Sequence, residues 1–369
     1  MERLSEQVRK VRRWLIDQPF DGILLSEQKN IAWLTGARAY VNLATERSIV
    51  FFLITESETV MYCSNIEKER LLAEEIGDTV GEIHVFPWYD PLLAESITQE
   101  QSKIGKVVLD REVESAFKAV RSALSPSQVV GYRQLGKLSA AAVEETALGL
   151  QRGETELEIA GRLANAAIKR GIEPVVNLVA VDDRVSAYRH PLPTDKRLDR
   201  YVMIVLSGRR NGQYISLTRL VHFGVIPIDL KKKHAAVCTI DSRLMHHTRV
   251  GQSMGDLFKE MKAAYATVGY LHEWKNHHQG GLTGYVGRER LLQPDAQELI
   301  QANEVYAWNP SITGTKSEDT ILVTESGPEI LTLGKKFPLM TVTVAGCTYE
   351  RPDILGRNDG GSVKSSMKN

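Results

Sequence analysis

Apolar and polar positions in the first third of the chain follow two periods in turn. The opening MERLSEQVRKVRRWLIDQ is amphipathic and charged, as a surface helix is, whereas DGILLS, RSIVFFLIT and TVMYCS are short apolar runs of strand length. A charged helix is expected through IEKERLLAEEIG, and VVLDREV adds a further strand. Helix and strand alternating in this way predict an α/β domain with a largely buried sheet. SALSPSQ, with its Pro and Ser residues, reads as a linker and closes this domain near residue 125.

Beyond it, a long helix is expected through YRQLGKLSAAAVEETALGLQRG. The next helix is well punctuated: Thr155 and Glu158 form a T-x-x-E capping box, and Gly171 stands where a helix stop belongs. The same grammar returns in GQSMGDLFKEMKAAYATVG, with Ser253 and Asp256 at its start and Gly269 at its end. After the first capped helix, YVMIVLSG and QYISLTRLVHFG flank RRNG as a hairpin; after the second, NEVYAWNPS and SEDTILVTESG bracket ITGTK, which reads as another hairpin. Two helices each followed by strands hint at a duplicated helix-plus-sheet unit over residues 126–350. The Gly- and Ser-rich end is expected to be a loose tail from 351 to 369.

Composition narrows the classes of function. With 46 basic and 46 acidic residues the formal charge is zero, so no net field recruits nucleic acid or an anionic membrane; KKKH at 231–234 is short and reads as a solvated turn. The three cysteines, Cys63, Cys238 and Cys347, are far apart and form no CxxC, which suggests neither a disulfide framework nor a thiolate zinc site and points to a cytoplasmic protein. No segment carries the roughly 20 apolar residues of a membrane span. GGLTG lacks the lysine and the strand-to-helix setting of a phosphate loop.

The densest chemistry lies in NHHQGGLTGYVGRE, residues 276–289, and in WNPS, SEDTILV, SLTR and RHPLPTDK. With NIAWLTG and NIEKERL earlier in the chain, these segments resemble the pita-bread fold family of creatinase, prolidase, Xaa-Pro aminopeptidase and methionine aminopeptidase. The resemblance implies a creatinase-type N-terminal α/β domain followed by an α+β pita-bread domain of two pseudo-twofold-related helix-and-antiparallel-sheet units.

The family's metallopeptidases hold two metal ions with an Asp, a second Asp eleven positions on in D-x-T-R, a His in G-H-G-x-G, a Glu before Pro and a final Glu followed by Asp. Carried onto this chain, the two Asp positions are assigned to Leu206 and Leu217, the Glu before Pro becomes Asn309, and Glu318 alone of the four carboxylates survives. Two registers place the His: H-x-x-G-H puts His278 on a substrate-holding His and Leu282 on the ligand, whereas counting from Arg288 puts the ligand at His277. Two divalent ions need several carboxylates for charge as well as for bonds, so no metal and no cofactor is expected.

Creatinase, the metal-free relative, implies the remaining roles. Its Arg in G-R-E holds the substrate carboxylate, which points to Arg288, and a bidentate guanidinium fork suits that task physically. His190 falls near an upstream substrate-holding His and titrates where proton transfer is useful. Creatinase has Glu where Thr218 and Asn309 stand here, which argues against creatine itself. Tyr285, and in the first domain Arg38, Tyr40 and Asn42, are further substrate-site candidates, the latter because creatinase-like homodimers set that domain over the partner's site.

These readings lead to a metal-independent hydrolase of a carbon–nitrogen bond in a small carboxylate-bearing substrate. His190 and His277 or His278 serve as acid, base or polarising group, Glu318 orients them, and Arg288 clamps the carboxylate. The alternative is an inactive pita-bread module that binds a peptide or a protein, for which histone-chaperone relatives are a precedent. A metal-dependent Xaa-Pro dipeptidase ranks third.

Overall fold

A computed structural model describes residues 2–77, 81–89, 97 and 105–358, and the chain divides into two units. The first comprises Met1–Ala123 with Asn211–Gln213, the second Leu124–Arg210 with Tyr214–Asn369.

In the first unit the amphipathic opening is helix α1 (Glu2–Ile16), and the apolar runs are strands β1 (Gly22–Glu27), β2 (Arg47–Thr55) and β3 (Thr59–Ser64). Helix α2 (Gln28–Thr35) contains most of NIAWLTG and ends at Gly36, whose φ of 82° is the left-handed stop that glycine takes without strain. The charged helix is α3 (Lys68–Arg70) continuing into a π-helical turn, Leu71–Ile76. Strands β4 (Glu82–Phe86) and β5 (Val107–Leu109) complete a sheet of order β4-β3-β2-β1-β5, antiparallel at its centre and parallel at both edges. Buried Asp110 ties the sheet to α2: its carboxylate accepts from the Ser26 and Glu27 amides at 2.9 and 3.0 Å and from Asn30 Nδ2 at 2.8 Å. Helix α4 (Glu114–Ser122) ends the unit.

The expected linker is largely helix cap. Ser125 and Gln128 form a capping box for α5 (Pro126–Leu148), with Pro126 at its first position, where a missing N–H costs nothing. Thr155 and Glu158 cap α6 (Glu156–Ile168) as the sequence predicts. Strand β6 (Glu173–Val181), short helix α7 (Asp183–Ala187), and the hairpin of β7 (Tyr201–Arg210) and β8 (Gln213–Phe223) follow. Asn211 and Gly212, at φ 50° and 78°, make the two-residue turn that RRNG predicts.

The second helix pair is α8 (Ile228–His247) and α9 (Met254–Thr267); Ser253 caps α9 by accepting from the Gly255 amide. The turn expected at KKKH is overturned, since residues 231–234 lie within α8. Strands β9 (Gly280–Thr283), β10 (Arg290–Leu291), β11 (Val305–Trp308), β12 (Ser311–Ile312), β13 (Thr315–Lys316), β14 (Asp319–Thr324) and β15 (Gly327–Ile330) come next; ITGTK is the β12–β13 hairpin. Each helix pair thus precedes its own sheet, of orders β18-β8-β7-β6, with β18 being Leu355–Arg357, and β10-β9-β11-β14-β15, and there is a separate ribbon of β16 (Leu339–Val344) and β17 (Cys347–Pro352). The tail expected from residue 351 needs correction. Arg351 lies in β17, and β18 (Leu355–Arg357) runs parallel to β8 with Arg351 and Arg357 buried, because their guanidiniums find internal acceptors. Residues 359–369 lie outside the described residues.

Candidate active site

Strand alternation decides which residues face the chemistry. In the second sheet Leu282 pairs with Tyr306 and Tyr306 with Ile321, and all three join Trp308 in the apolar cluster formed with α8 and α9. Asp319, opposite Trp308, shares this helix-facing side. Glu318 and Asn309, one residue further along each strand, therefore face the other way. In the first sheet Leu206 pairs with Asn177, whose amide reaches the Ala160 carbonyl of α6 at 2.8 Å, so that face too is the helix side. Its opposite face carries Val205 and, on β8, Ser216 and Thr218. The two non-helical faces meet at the sheet junction: the Thr218 amide donates to the Glu318 carbonyl at 3.1 Å and the Ser216 amide to Thr320 Oγ1 at 2.8 Å.

This geometry corrects the carry-over of the two aspartates. Leu206 and Leu217, both fully buried, are core residues on the helix side. Counting D-x-T-R onto SLTR from Arg219 puts the second Asp at Ser216, and eleven positions earlier is Val205; these are the residues on the Glu318 face. Leu282 likewise packs on the helix side. The glycines before it have a local reason: Gly280 has φ 99°, and a Cβ there would collide with the Ala307 carbonyl oxygen, so the backbone of β9 lies against β11 only without a side chain.

Cations of the chain itself hold Glu318. Its Oε2 accepts from Thr218 Oγ1 at 2.6 Å and faces Lys316 Nζ at 2.9 Å, while Arg288 Nη2 stands 3.5 Å from Oε1. Burial alone would raise this carboxyl, but Lys316 and Arg288 hold it below the usual carboxylate range. Arg288 also donates from Nη1 to the Gly287 carbonyl at 2.6 Å and to Ser216 Oγ at 3.4 Å, and its buried Nε has no partner. A surface pair with Glu289 is not formed; the Glu289 carboxylate accepts instead from the Tyr285 amide at 3.0 Å. Asn309 is buried, its amide donates to the Gln279 carbonyl at 3.0 Å, and its Oδ1 has no partner.

Three imidazoles stand close to these cations. His190 and His277 face each other through Nε2 atoms 3.1 Å apart, and His278 stacks on His277 with ring centroids 4.4 Å apart and planes at 26°. Such an N–H···N contact has room for one proton between the rings. Burial, then Lys316, pushes His277 down to about 2; burial, then Arg288, pushes His278 down to about 4; His190 is lowered by burial and Lys316. The lowered values favour the neutral form of the three rings at pH 7, and His277 alone of them is buried, His190 and His278 being exposed. The loop bearing His190 is anchored by buried Glu156, which accepts from the Thr194 amide at 2.8 Å and from Arg184 Nε at 2.9 Å, with Arg184 in turn donating to the Leu192 carbonyl.

Of the sequence candidates, the structure brings His190, His277, His278, Arg288, Glu318, Thr218 and Asn309 to this side of the two sheets. Tyr285 is a core residue, 2% exposed, whose hydroxyl accepts from Gln128 Nε2 at 2.8 Å. Tyr40 is half-buried in the first unit, where Arg38 pairs with Glu75. Sequence reasoning missed Lys316 and Ser216. A lysine two residues before the surviving Glu was a signal, since alternation puts both on one face.

Two sheets, antiparallel throughout except where β18 joins β8, each preceded by a helix pair and joined at a polar junction, define a duplicated α+β domain. Residues 131–325 match the model of metallopeptidase family M24 and residues 7–189 that of the creatinase/prolidase N-terminal domain, and the chain belongs to the M24 family, with the pita-bread fold. An Xaa-Pro dipeptidase of Pyrococcus horikoshii is 23% identical over 354 residues, covering 90% of this chain and 98% of that protein. The fold alone is shared with an Xaa-Pro dipeptidase from Bacillus anthracis (TM-score 0.74, 18% identity, 91% of this chain and 98% of that one). It is shared also with the N-terminal domain of the FACT complex subunit SPT16 from Cicer arietinum (TM-score 0.70, 10% identity, 90% and 96%).

The dinuclear metal centre that the resemblance implies for the family's peptidases does not fit these residues. Val205 and Ser216 carry no carboxylate, Asn309 carries no charge, and Glu318 is neutralised by Lys316 and Arg288. A hard dication needs anionic oxygens at that place and would meet two fixed cations. The three histidine rings offer nitrogens within 4.8 Å of one another, a grouping of a different kind from the family's carboxylate set.

Proposed function

We propose that this chain is a metal-independent, creatinase-like hydrolase of a carbon–nitrogen bond in a small carboxylate-bearing substrate. One observation carries the reading: lysine and arginine side chains neutralise the surviving family carboxylate, beside three neutral imidazoles. A neutral His190 accepts a proton from water as general base, and the same ring, or His278, returns it to the leaving nitrogen. The proton on the His190–His277 contact fixes which nitrogen is free. Asn309 Oδ1 is an acceptor for a substrate N–H, and Arg288 clamps the substrate's carboxylate. The resemblance implies a homodimer and the cysteine pattern a cytoplasmic setting; among the described residues no helix is long and apolar enough to cross a membrane.

The test is hydrolysis of a panel of N-substituted amino acids, with and without chelator. We expect turnover that survives EDTA and falls by about 10²–10⁴-fold in His190→Ala. Two tightly held Mn, Co or Zn ions per chain, with peptidase activity lost on chelation, would overturn the reading. A second reading, a binding module without catalysis, is favoured by the full engagement of the Glu318 carboxylate; it predicts no turnover on any member of the panel and an unchanged partner-binding profile in His190→Ala.

A further inference from the structure

His190 and His277 stand on bends and not on strands, so no ladder of backbone bonds fixes the 3.1 Å between their Nε2 atoms. Loop segments are the parts of a fold that shift most easily, whereas a hydrogen bond tolerates only about a few tenths of an ångström. A side-chain cluster beside the rings supplies the missing tie. Arg189, adjacent to His190, donates from Nη2 to Thr313 Oγ1 at 2.7 Å and to Glu273 Oε2 at 3.2 Å. Thr313 donates to the same carboxylate, from its amide to Oε2 at 3.1 Å and from its hydroxyl to Oε1 at 2.9 Å. Glu273 opens the short turn that leads to His277, and Asn276 Nδ2 donates back to it at 3.3 Å. Thr313 lies at the tip of the β12–β13 hairpin, just before Lys316. One carboxylate thus gathers the segments that carry His190, His277 and Lys316.

Other anchors act elsewhere. Glu156 and Asp182 hold the stem of the His190 loop, Asp182 by accepting from the Asp199, Arg200 and Tyr201 amides at 2.9, 2.8 and 2.9 Å. Tyr265 joins the His277 segment to the hairpin, its hydroxyl accepting from the Ser311 amide at 3.0 Å and lying 2.7 Å from Gln279 Oε1. Neither reaches from the middle of the His190 loop to the His277 segment, and Arg189 does. A solvent-exposed pair would hold little, but the Arg189 and Glu273 side chains are largely buried, at 20% and 22% exposure. From this geometry we infer that Arg189, Glu273 and Thr313 are positioning residues, a clamp that sets His190 against His277, and that opening the clamp parts the two rings without unfolding the chain. Its effect on turnover rests on the pocket being a hydrolase site; its effect on the ring contact does not.

Crystal structures of the full chain and its variants measure the contact directly. Wild type should show the Nε2 separation near 3.1 Å, and Arg189→Met and Glu273→Ala should open it beyond about 3.5 Å, past hydrogen-bond reach. Glu273→Gln, whose amide oxygen still accepts from Arg189 and from the Thr313 amide, should keep it. In the hydrolase, Arg189→Met should lower kcat by about tenfold to a hundredfold and move KM by less than about threefold, because Arg288 and not the clamp holds the substrate. Folded Arg189→Met and Glu273→Ala variants that keep the contact, a wild type that lacks it, or a Glu273→Gln variant that loses it as Glu273→Ala does would each overturn the clamp. If neither charge variant folds, Thr313→Val, which removes one hydroxyl, decides: rings still in contact, or again no folded chain, overturns it. Parted rings in variants of a chain that hydrolyses nothing keep the clamp and lose the reaction. Turnover by a chain whose rings never part does the reverse.

Discussion

Glu318 and Asp319 are neighbours in the chain, yet they anchor two ionic clusters on opposite faces of one sheet. Asp319 accepts from Arg351 at 2.7 Å, Arg219 at 3.0 Å and Thr332 Oγ1 at 2.6 Å, and Arg351 reaches on to Asp241 at 2.6 Å. Two carboxylates meet two guanidiniums there, among apolar helix residues. Glu318 meets two cations, Lys316 and Arg288. The balanced cluster holds α8, β14 and β17 together; the Glu318 cluster carries one cation more than it has carboxylates. Burial by itself therefore does not distinguish the two clusters, whereas charge balance does.

The comparison can be broken by experiment, beginning with its largest expected effect. Arg351→Met leaves Asp241 and Asp319 buried without their shared cation and should cost about 3–5 kcal/mol in urea unfolding. A loss below about 1 kcal/mol would show that the cluster is not structural. Next comes the face assignment: Leu217→Ala should cost about 2–5 kcal/mol as a core truncation, and Ser216→Ala, on the other face, much less. If the two costs come out reversed, the strand register described above is wrong.

A smaller effect depends on pH. His277 and His278 remain neutral when folded but protonate in the unfolded chain below about pH 6.5, the ordinary imidazole value. In the window from there down to about 4 the unfolded state binds more protons, so their contribution to stability is present above the window and lost as pH falls. Asp241, which burial raises to about 7, acts in the opposite direction over the same range. The diagnostic is thus the difference between wild type and His277→Asn, whose stability should decline less on acidification. Identical pH slopes would remove the neutral-histidine argument. Smallest of all, Lys316→Met should change stability by less than about 1 kcal/mol, because Arg288 still pairs with Glu318. A loss as large as that of Arg351→Met would place Lys316 in the structural class.

Much of the architecture was legible in the chain because its signals are local. Capping at Thr155 and Ser253, the Asn211–Gly212 turn and the runs that became β1–β3 depend on residues within a few positions of one another. The site was legible in its residue types, since His190, His277, His278, Arg288 and Glu318 do gather on one side. Its register was misread: Leu206 and Leu217 look like the replaced ligands until the pleat shows that Val205 and Ser216 share a face with Glu318. The expected tail failed for a different reason, that the acceptors burying Arg351 and Arg357 are over a hundred residues away in the chain for Asp241 and Leu150.

By itself, then, the sequence determined membership in the fold, the loss of the carboxylate set and the presence of imidazoles and an arginine beside a lone glutamate. Only the tertiary structure decided which side each residue faces and which charges meet. The reason is physical: helix caps and turns form between near neighbours, whereas a one-residue step along a strand moves a side chain to the opposite face, and charge balance belongs to groups that folding alone brings within a few ångströms.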